Sequence, residues 1–188
     1  MRRLKINELC YMAIMLSLLI VCSKISVNIG VIPITLQTFA VIMVGYVLKW
    51  KKAIIVFLAY ILMGLVGIPV FSGGGGFDYI FKPSFGFIIG FLLSSLITGI
   101  VFNKHSKIAL YFQGLLGLLI INIVGLIYMY LIMNYYLLLD KSVSYILEVG
   151  LLPFLLKDCI SVFIATLVYE RVYERVRLIA VINPKPIY

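Results

Sequence analysis

The sequence predicts an all-α integral membrane protein with six transmembrane helices and both termini on the cytoplasmic side. Three observations predict it. Of the 188 residues, 64% are hydrophobic and only 12% are charged, and the mean hydropathy is +1.18, far outside the usual composition of a soluble domain. The apolar residues fall in six runs, most of them near the roughly 20 residues that a spanning helix needs. The basic residues fall between those runs, and 12 of the 16 collect on one side when the runs alternate in direction.

The first run covers about 9–27. The opening Met1, Arg2, Arg3, Leu4 and Lys5 imitates a signal peptide, and Leu19, Ile20 and Val21 before Cys22 imitate a lipoprotein cleavage box. Such boxes take small residues before the cysteine, and no Ala-x-Ala site follows. The run is therefore read as a retained first span, with Lys24 snorkelling at its end. The second to fourth runs are about 31–48, 53–70 and 85–102. The fifth, about 108–139, has 32 residues without a charge. At 1.5 Å per residue it is about 48 Å long, against roughly 30 Å of hydrocarbon. Two helices would need about 40 residues and a turn. One long helix is expected, tilted or protruding, with Gly125 as the place to bend. The sixth run, about 153–169, continues through Glu170, Arg171, Glu174, Arg175 and Arg177 as a helix entering the cytoplasm. Residues 1–188 form a single transmembrane domain in this reading, with no soluble domain and no internal repeat.

Six spans put Arg2, Arg3, Lys5, Lys49, Lys51, Lys52, Lys104, Lys107, Arg171, Arg175, Arg177 and Lys185 on one side. Lys24, Lys82, Lys141 and Lys157 fall on the other. Cytoplasmic loops carry the excess of Lys and Arg, so both termini are cytoplasmic. Splitting the fifth run would move the C-terminal cluster outside. The net charge of +9 is thus read as an orientation signal at the lipid bilayer, and no nucleic-acid partner is expected.

Several function classes find no residues to carry them. Cys10, Cys22 and Cys159 have no paired spacing, so neither a disulfide framework nor a Cys-x-x-Cys metal pair fits. His105 sits with Lys104 and Lys107 in a solvent-exposed turn and lacks partner ligands. No Ser-His-Asp or paired-carboxylate arrangement occurs, so no catalytic residue, metal or cofactor is expected. There is no Walker motif, so the chain does not power transport through ATP by itself.

Two stretches hold what the apolar runs lack. Ile32-Pro33-Ile34-Thr35-Leu36-Gln37-Thr38-Phe39 opens the second span. Gly67-Ile68-Pro69-Val70-Phe71-Ser72, followed by Gly73, Gly74, Gly75 and Gly76, closes the third. Polar groups and irregular backbone at membrane depth are tolerated where they line a cavity or are buried in protein. Asp158 and Lys157 lie about one turn into the last span. Three external elements therefore converge on a pocket open to the outside, as a capture protein for a small polar solute needs. An ionised Asp158 among Leu155, Leu156, Cys159 and Ile160 is costly unless paired or wetted. It either contacts a ligand, faces headgroups or pairs with a lysine from a neighbouring element. Lys157 is a poor partner, because adjacent helix residues do not share a face. Gln37 either contacts ligand or ties helices together. The glycine run lacks the Gly-Lys-Ser/Thr of a phosphate loop.

Two small-residue stripes remain. Ala13 and Ser17 lie one turn apart on the first helix. Gly86, Gly90, Ser94 and Thr98 form a longer stripe on the fourth span. Small residues let membrane helices approach closely. Packing inside the bundle is the expectation for the longer stripe, and contact with another protein for the first.

These residues resemble a known family. Pro33-Ile34-Thr35-Leu36-Gln37-Thr38 resembles the Pro-x-Thr-Leu-Gln-Thr element of BioY proteins, the biotin-binding S components of energy-coupling factor (ECF) transporters. Gly67-Ile68-Pro69-Val70-Phe71 with the glycine run is similar to that family's Gly-x-Pro-Val-Phe-x-Gly-Gly. Pro83-Ser84-Phe85-Gly86-Phe87-Ile88-Ile89-Gly90-Phe91 and Pro153-Phe154-Leu155-Leu156-Lys157-Asp158 are similar to two further elements, Pro-Thr-Gly-Gly-Tyr and Pro-Phe-x-Pro-Gly-Asp. The likeness keeps family order from Pro33 to Ser161, most of the chain. Two departures stand out. Lys157 replaces the glycine before the aspartate, and Ser161 replaces a lysine three residues after it, so either Lys157 or Lys82 substitutes for that cation or its contact is lost. Phe85 also replaces a glycine.

The resemblance implies a six-helix S component in the bacterial cytoplasmic membrane. It would capture biotin from outside and dock on a transmembrane coupling subunit with two ATPase subunits, transport involving a toppling of the S component. Ala13 and Ser17 are a relaxed version of the small-residue pattern that meets the coupling subunit. Biotin is then the transported substrate, not a cofactor. Asp158 would accept from ureido N–H, Gln37 would donate and accept there, and Lys82 or Lys157 would meet the carboxylate. Tyr79 or Phe77 would cover the ring, and Thr35, Gly74, Gly75 and Ser161 complete the expected substrate-binding set. The rival readings are an S component for another vitamin and a ligand-free structural membrane protein.

Overall fold

The computed structural model describes residues 6–28, 32–100 and 106–182. Arg2, Arg3, Lys5, Lys104, His105 and Lys185 lie outside the described residues, as do the side chains of Glu174, Arg175 and Arg177. The element order is α1 (Ile6–Lys24), β1 (Ser26–Asn28), β2 (Pro33–Thr35), α2 (Gln37–Leu65), a 3-10 turn (Phe77–Phe81), α3 (Phe85–Gly99), α4 (Lys107–Leu131), α5 (Val143–Gly150) and α6 (Leu152–Ile182). A π-helical stretch, Ile132–Tyr136, prolongs α4. The chain is mostly helical. Three helical segments are long and apolar enough to cross a membrane: Ile6–Lys24, Lys107–Tyr136 and Leu152–Tyr173. The apolar Phe85–Gly99 is shorter.

The number of α-helices among the described residues is six, but the helices do not correspond one to one with the six apolar runs. The second and third runs are the two halves of α2. The helix breaks at Lys49, whose φ of 59° and ψ of 164° are not helical. Gln37 and Tyr60, 23 residues apart in sequence, are joined by a 2.7 Å hydrogen bond. An unbroken helix would hold them about 34 Å apart, so the halves lie antiparallel and the reversal turns on one residue. The second run also starts as extended chain. β1 and β2 pair antiparallel, with Ser26 opposite Thr35, Val27 opposite Ile34 and Asn28 opposite Pro33. Pro33 has no N–H to give a helix, and the flanking Ile and Thr are β-branched residues that suit a strand.

The fifth run forms one helix that is regular through Gly125; its irregularity is the later π stretch. Sequence reading did not find α5. Its N-cap is Ser142, whose Oγ accepts from the Tyr145 amide at 3.3 Å, and the helix follows Leu138 and Asp140, both at positive φ.

Contacts assign each element to one end of the bundle. Lys52 at the α2 reversal pairs with Glu8 at the start of α1 at 2.7 Å. A Cβ on Gly99, the last residue of α3, would lie 2.4 Å from the Trp50 backbone nitrogen, so α3 ends against the same reversal. Gln113 of α4 caps that helix end. Its two Nε2 protons are shared among Ile97 O at 2.9 Å, Thr98 O at 3.1 Å and Ile100 O, carbonyls at the helix C-terminus, where intrahelical donors run out. Lys107 pairs with Glu170 of α6 at 2.9 Å. Lys49, Lys51, Lys52 and Lys107 thus share one end. The β strands, the 67–84 segment and the start of α6 meet at the other.

The stripe on α3 packs internally. A Cβ on Gly86 would sit 2.2 Å from Tyr128 Cβ, and one on Gly90 would sit 2.9 Å from Ile121 Cα. Gly117 of α4 returns the favour against Ser94, at 2.6 Å. Ala13 and Ser17, in contrast, are exposed, while Met12, Leu19, Cys22 and Ser23 form the buried side of α1.

Candidate functional site

At the end opposite the lysines lies a cavity of about 490 Å³, counting the solvent at its mouth. Ile32 precedes β2 and lines the cavity, and Pro33, Thr35, Gln37 and Thr38 enter it from β2 and the start of α2. Ser72, Tyr79 and Ser84 come from the 67–84 segment, and Phe87, Ile88 and Phe91 from α3. Ile121 of α4 and Phe154, Lys157 and Asp158 of α6 complete the lining.

Asp158 forms the charged part of the wall and is only 5% exposed. Its Oδ1 accepts from Thr38 Oγ1 at 2.7 Å and pairs with Lys157 Nζ. Lys157 Nζ also donates to Thr35 O at 2.6 Å. The expectation that Lys157 is a poor partner is therefore corrected. Adjacent residues do diverge on a helix, but the four-carbon lysine stem is long enough to fold back. It does so over the Phe154 ring, 6.0 Å from its centroid. Among the described residues no hydrogen bond reaches Asp158 Oδ2, so half of the carboxylate remains available as an acceptor.

Gln37 both lines the cavity and ties helices together. Its Nε2 donates to Tyr60 OH at 2.7 Å, and Tyr60 OH donates to Val70 O at 3.2 Å. Thr35 Oγ1 donates to Gln37 Oε1 at 3.4 Å. The wall behind is aromatic. Phe71 is fully buried, with its ring centroid 4.6 Å from that of Tyr79 and 5.3 Å from that of Tyr60. Tyr79 OH contacts the Ser72 and Ser84 hydroxyls, each at 3.4 Å.

Of the residues expected at the site, Thr35, Gln37, Tyr79, Lys157 and Asp158 are brought together around the cavity. Lys82 is exposed and outside the lining, 4.7 Å above the Tyr79 ring, and donates to Gly73 O at 3.4 Å. Phe77 does not line the cavity and is 65% exposed. In a 3-10 turn, with three residues per turn, it cannot share a face with Tyr79. Gly74 and Gly75 shape the loop instead of lining the cavity. Gly74 exchanges backbone hydrogen bonds with Phe71 at 3.0 and 3.1 Å at a φ of 110°. A Cβ on Gly75 would lie 2.4 Å from Ile68 O. Ser161 turns away and donates to Lys157 O at 2.9 Å. Sequence reading missed Ser72, Ser84, Phe87, Phe91, Ile121 and Phe154, which look like ordinary loop and core residues. Thr38 carried a signal, its place beside Gln37, but helical threonines commonly bond their own preceding turn. No group of three or more metal-ligating side chains occurs among the described residues.

Comparison with known proteins gives one answer. The sequence model of the BioY family matches residues 1–178. A protein of Pyrococcus horikoshii named a probable biotin transporter BioY is 34% identical over 169 residues, covering 89% of this chain and 97% of its own. The biotin transporter BioY of Thermotoga maritima is 31% identical over 167 residues, covering 88% of this chain and 95% of its own. Among solved structures, the S component for biotin from an ECF-type ABC transporter superposes with a TM-score of 0.78 at 26% identity, covering 92% of this chain and 95% of that one. With the match running over almost the whole chain and nearly the full length of these relatives, the protein belongs to the BioY family.

Proposed function

We propose that this protein captures biotin outside the cell and delivers it across the cytoplasmic membrane as the substrate-specific subunit of an ECF-type transporter. The observation that carries the reading is Asp158, a buried carboxylate with one oxygen unengaged, in the wall of a cavity lined by aromatic side chains. Biotin offers ureido N–H donors to such an oxygen and an apolar ring to such walls. Lys157, already inside the cavity lining, supplies the cation that the family carries three residues after the aspartate. Lys82, beside the cavity-lining Tyr79, would meet the ligand carboxylate. The function is transport and not catalysis, as befits the family.

The protein is a multi-pass membrane protein. In the proposed arrangement α1, the two halves of α2, α3, α4 and α6 make six crossings. Both termini and the Lys49, Lys51, Lys52 and Lys107 end are cytoplasmic, and the cavity opens outside. A coupling subunit and two ATPase subunits complete the transporter.

Equilibrium binding of tritiated biotin to the purified protein tests the function. Saturable binding displaced by unlabelled biotin, and not by thiamine or riboflavin, is expected. Displacement by another vitamin in preference to biotin would reassign the substrate, and no saturable binding would remove it. For topology, Phe77→Cys and Asp78→Cys, each in a chain without Cys10, Cys22 and Cys159, should react with a membrane-impermeant maleimide on whole cells. Ser106→Cys should react only after permeabilisation. The opposite pattern would invert the bundle and move the cavity mouth to the cytoplasm.

A further inference from the structure

We infer that Tyr60 is a positioning residue that sets which end of the Gln37 carboxamide meets the ligand, and that it thereby makes the site selective for compounds offering N–H donors. The inference rests on the biotin reading above and extends it to a residue outside the cavity lining.

Tyr60 is fully buried on the second half of α2. Its hydroxyl has one proton, which goes to Val70 O at 3.2 Å, an atom that can only accept. The Tyr60 oxygen is then left to accept. Of the two ends of the Gln37 carboxamide only Nε2 can donate, and it does so at 2.7 Å. The reversal at Lys49 is what brings the two residues together. With Nε2 held by Tyr60, the other end, Oε1, keeps only the long 3.4 Å contact from Thr35 Oγ1. Oε1 therefore retains accepting capacity at a cavity-lining residue. The Thr38 proton is already committed to Asp158 Oδ1, and Asp158 Oδ2 is unengaged. Gln37 and Asp158 thus present two acceptors to the same cavity. A cyclic urea, with an N–H on either side of its carbonyl, fits such a pair. A ligand with an alkylated nitrogen leaves one acceptor buried and unpaired, which is costly.

The test is a ratio of affinities. The Kd of biotin and of each of its two mono-N-methyl ureido analogues is measured for the unsubstituted protein and for Tyr60→Phe. The phenylalanine keeps the ring against Phe71 and removes only the hydroxyl. Free of its anchor, the Gln37 amide can turn either end to the ligand. We expect the biotin Kd to rise about tenfold, as for loss of one buried hydrogen bond. We also expect discrimination against one of the two methyl analogues to fall to near unity. A Tyr60→Phe/Gln37→Leu double variant should bind no more weakly than Gln37→Leu alone, because both changes remove the same contact. A structural role for Tyr60 would shift all three ligands together. Unchanged ratios for both analogues, or fully additive losses in the double variant, overturn the inference. If the unsubstituted protein fails to bind biotin, the parent reading falls, and this one with it.

Discussion

Asp158→Ala should lower biotin affinity by at least about tenfold, the largest loss expected from any single change in the cavity. The warrant is the proposed hydrogen bond from a ligand N–H to the unengaged Oδ2. Charge-assisted bonds of this kind are worth roughly 1.5–3 kcal/mol, and about 1.4 kcal/mol is a factor of ten. The fold should survive, though with some loss of stability. Removing the carboxylate leaves Thr38 Oγ1 without its 2.7 Å acceptor, and leaves Lys157 with the Thr35 carbonyl and partial solvent contact. Asp158→Asn should lose less affinity, because its carbonyl still accepts from Thr38 or from ligand. Lys157→Met is the informative opposite. It keeps the acceptor but strands a buried carboxylate without its cation, and breaking a buried pair in that sense is usually the more destabilising change. It should therefore lower the thermal unfolding midpoint more than Asp158→Ala does. Isothermal titration with biotin and unfolding scans of the ligand-free variants separate the effects. Normal biotin binding by Asp158→Ala, together with a collapsed midpoint, would make Asp158 a purely structural ion-pair member.

Much of this architecture is legible in the sequence because the membrane imposes so simple a rule. Long apolar runs must be helical, and basic clusters between them mark one side. The same rule makes Asp158, Gln37 and Thr35 stand out, since each is a polar residue where an apolar one would cost less. The rule says nothing about how the connections fold. Lys49 takes a positive φ that neither a glycine nor an asparagine announces. The β1–β2 hairpin is hidden in a stretch that reads as one apolar run, and α5 is too short to show a spanning signal. Within the 67–84 segment, composition cannot separate residues that line the cavity from those that shape the loop. Tyr79 and Phe77 are both aromatic, and the 3-10 turn alone decides which one is buried. Gly75 resembles a ligand-approaching glycine, yet the atom it must clear is Ile68 O. The Lys157–Asp158 pair escapes a helical-wheel argument because such an argument tracks Cβ directions, and the lysine charge lies four bonds beyond its own.

Ala13→Leu and Ser17→Leu should each abolish assembly with the proposed coupling subunit, and with it biotin uptake, while biotin binding by the isolated protein stays within about twofold of normal. Both residues are exposed on α1, on the side away from the buried Met12, Leu19 and Cys22. They sit at i and i+4, so they share one face. The Ser17 hydroxyl donates to its own Ala13 O at 3.0 Å, which consumes its proton and leaves a low, nearly apolar surface between the two positions. In a membrane, helices associate through close packing of such surfaces, with no hydrophobic force to compensate for a gap. Because both positions are exposed among the described residues, a leucine at either should leave the fold and the cavity undisturbed. Its bulk would hold a partner helix away along the whole contact. Co-purification of the coupling subunit with tagged variants reads the docking, and titration of the same preparations with biotin reads the site. Because the face is exposed, internal packing is no longer an alternative explanation for these two residues. Full recovery of the coupling subunit with both variants would instead mean that the transporter grips another face of the bundle.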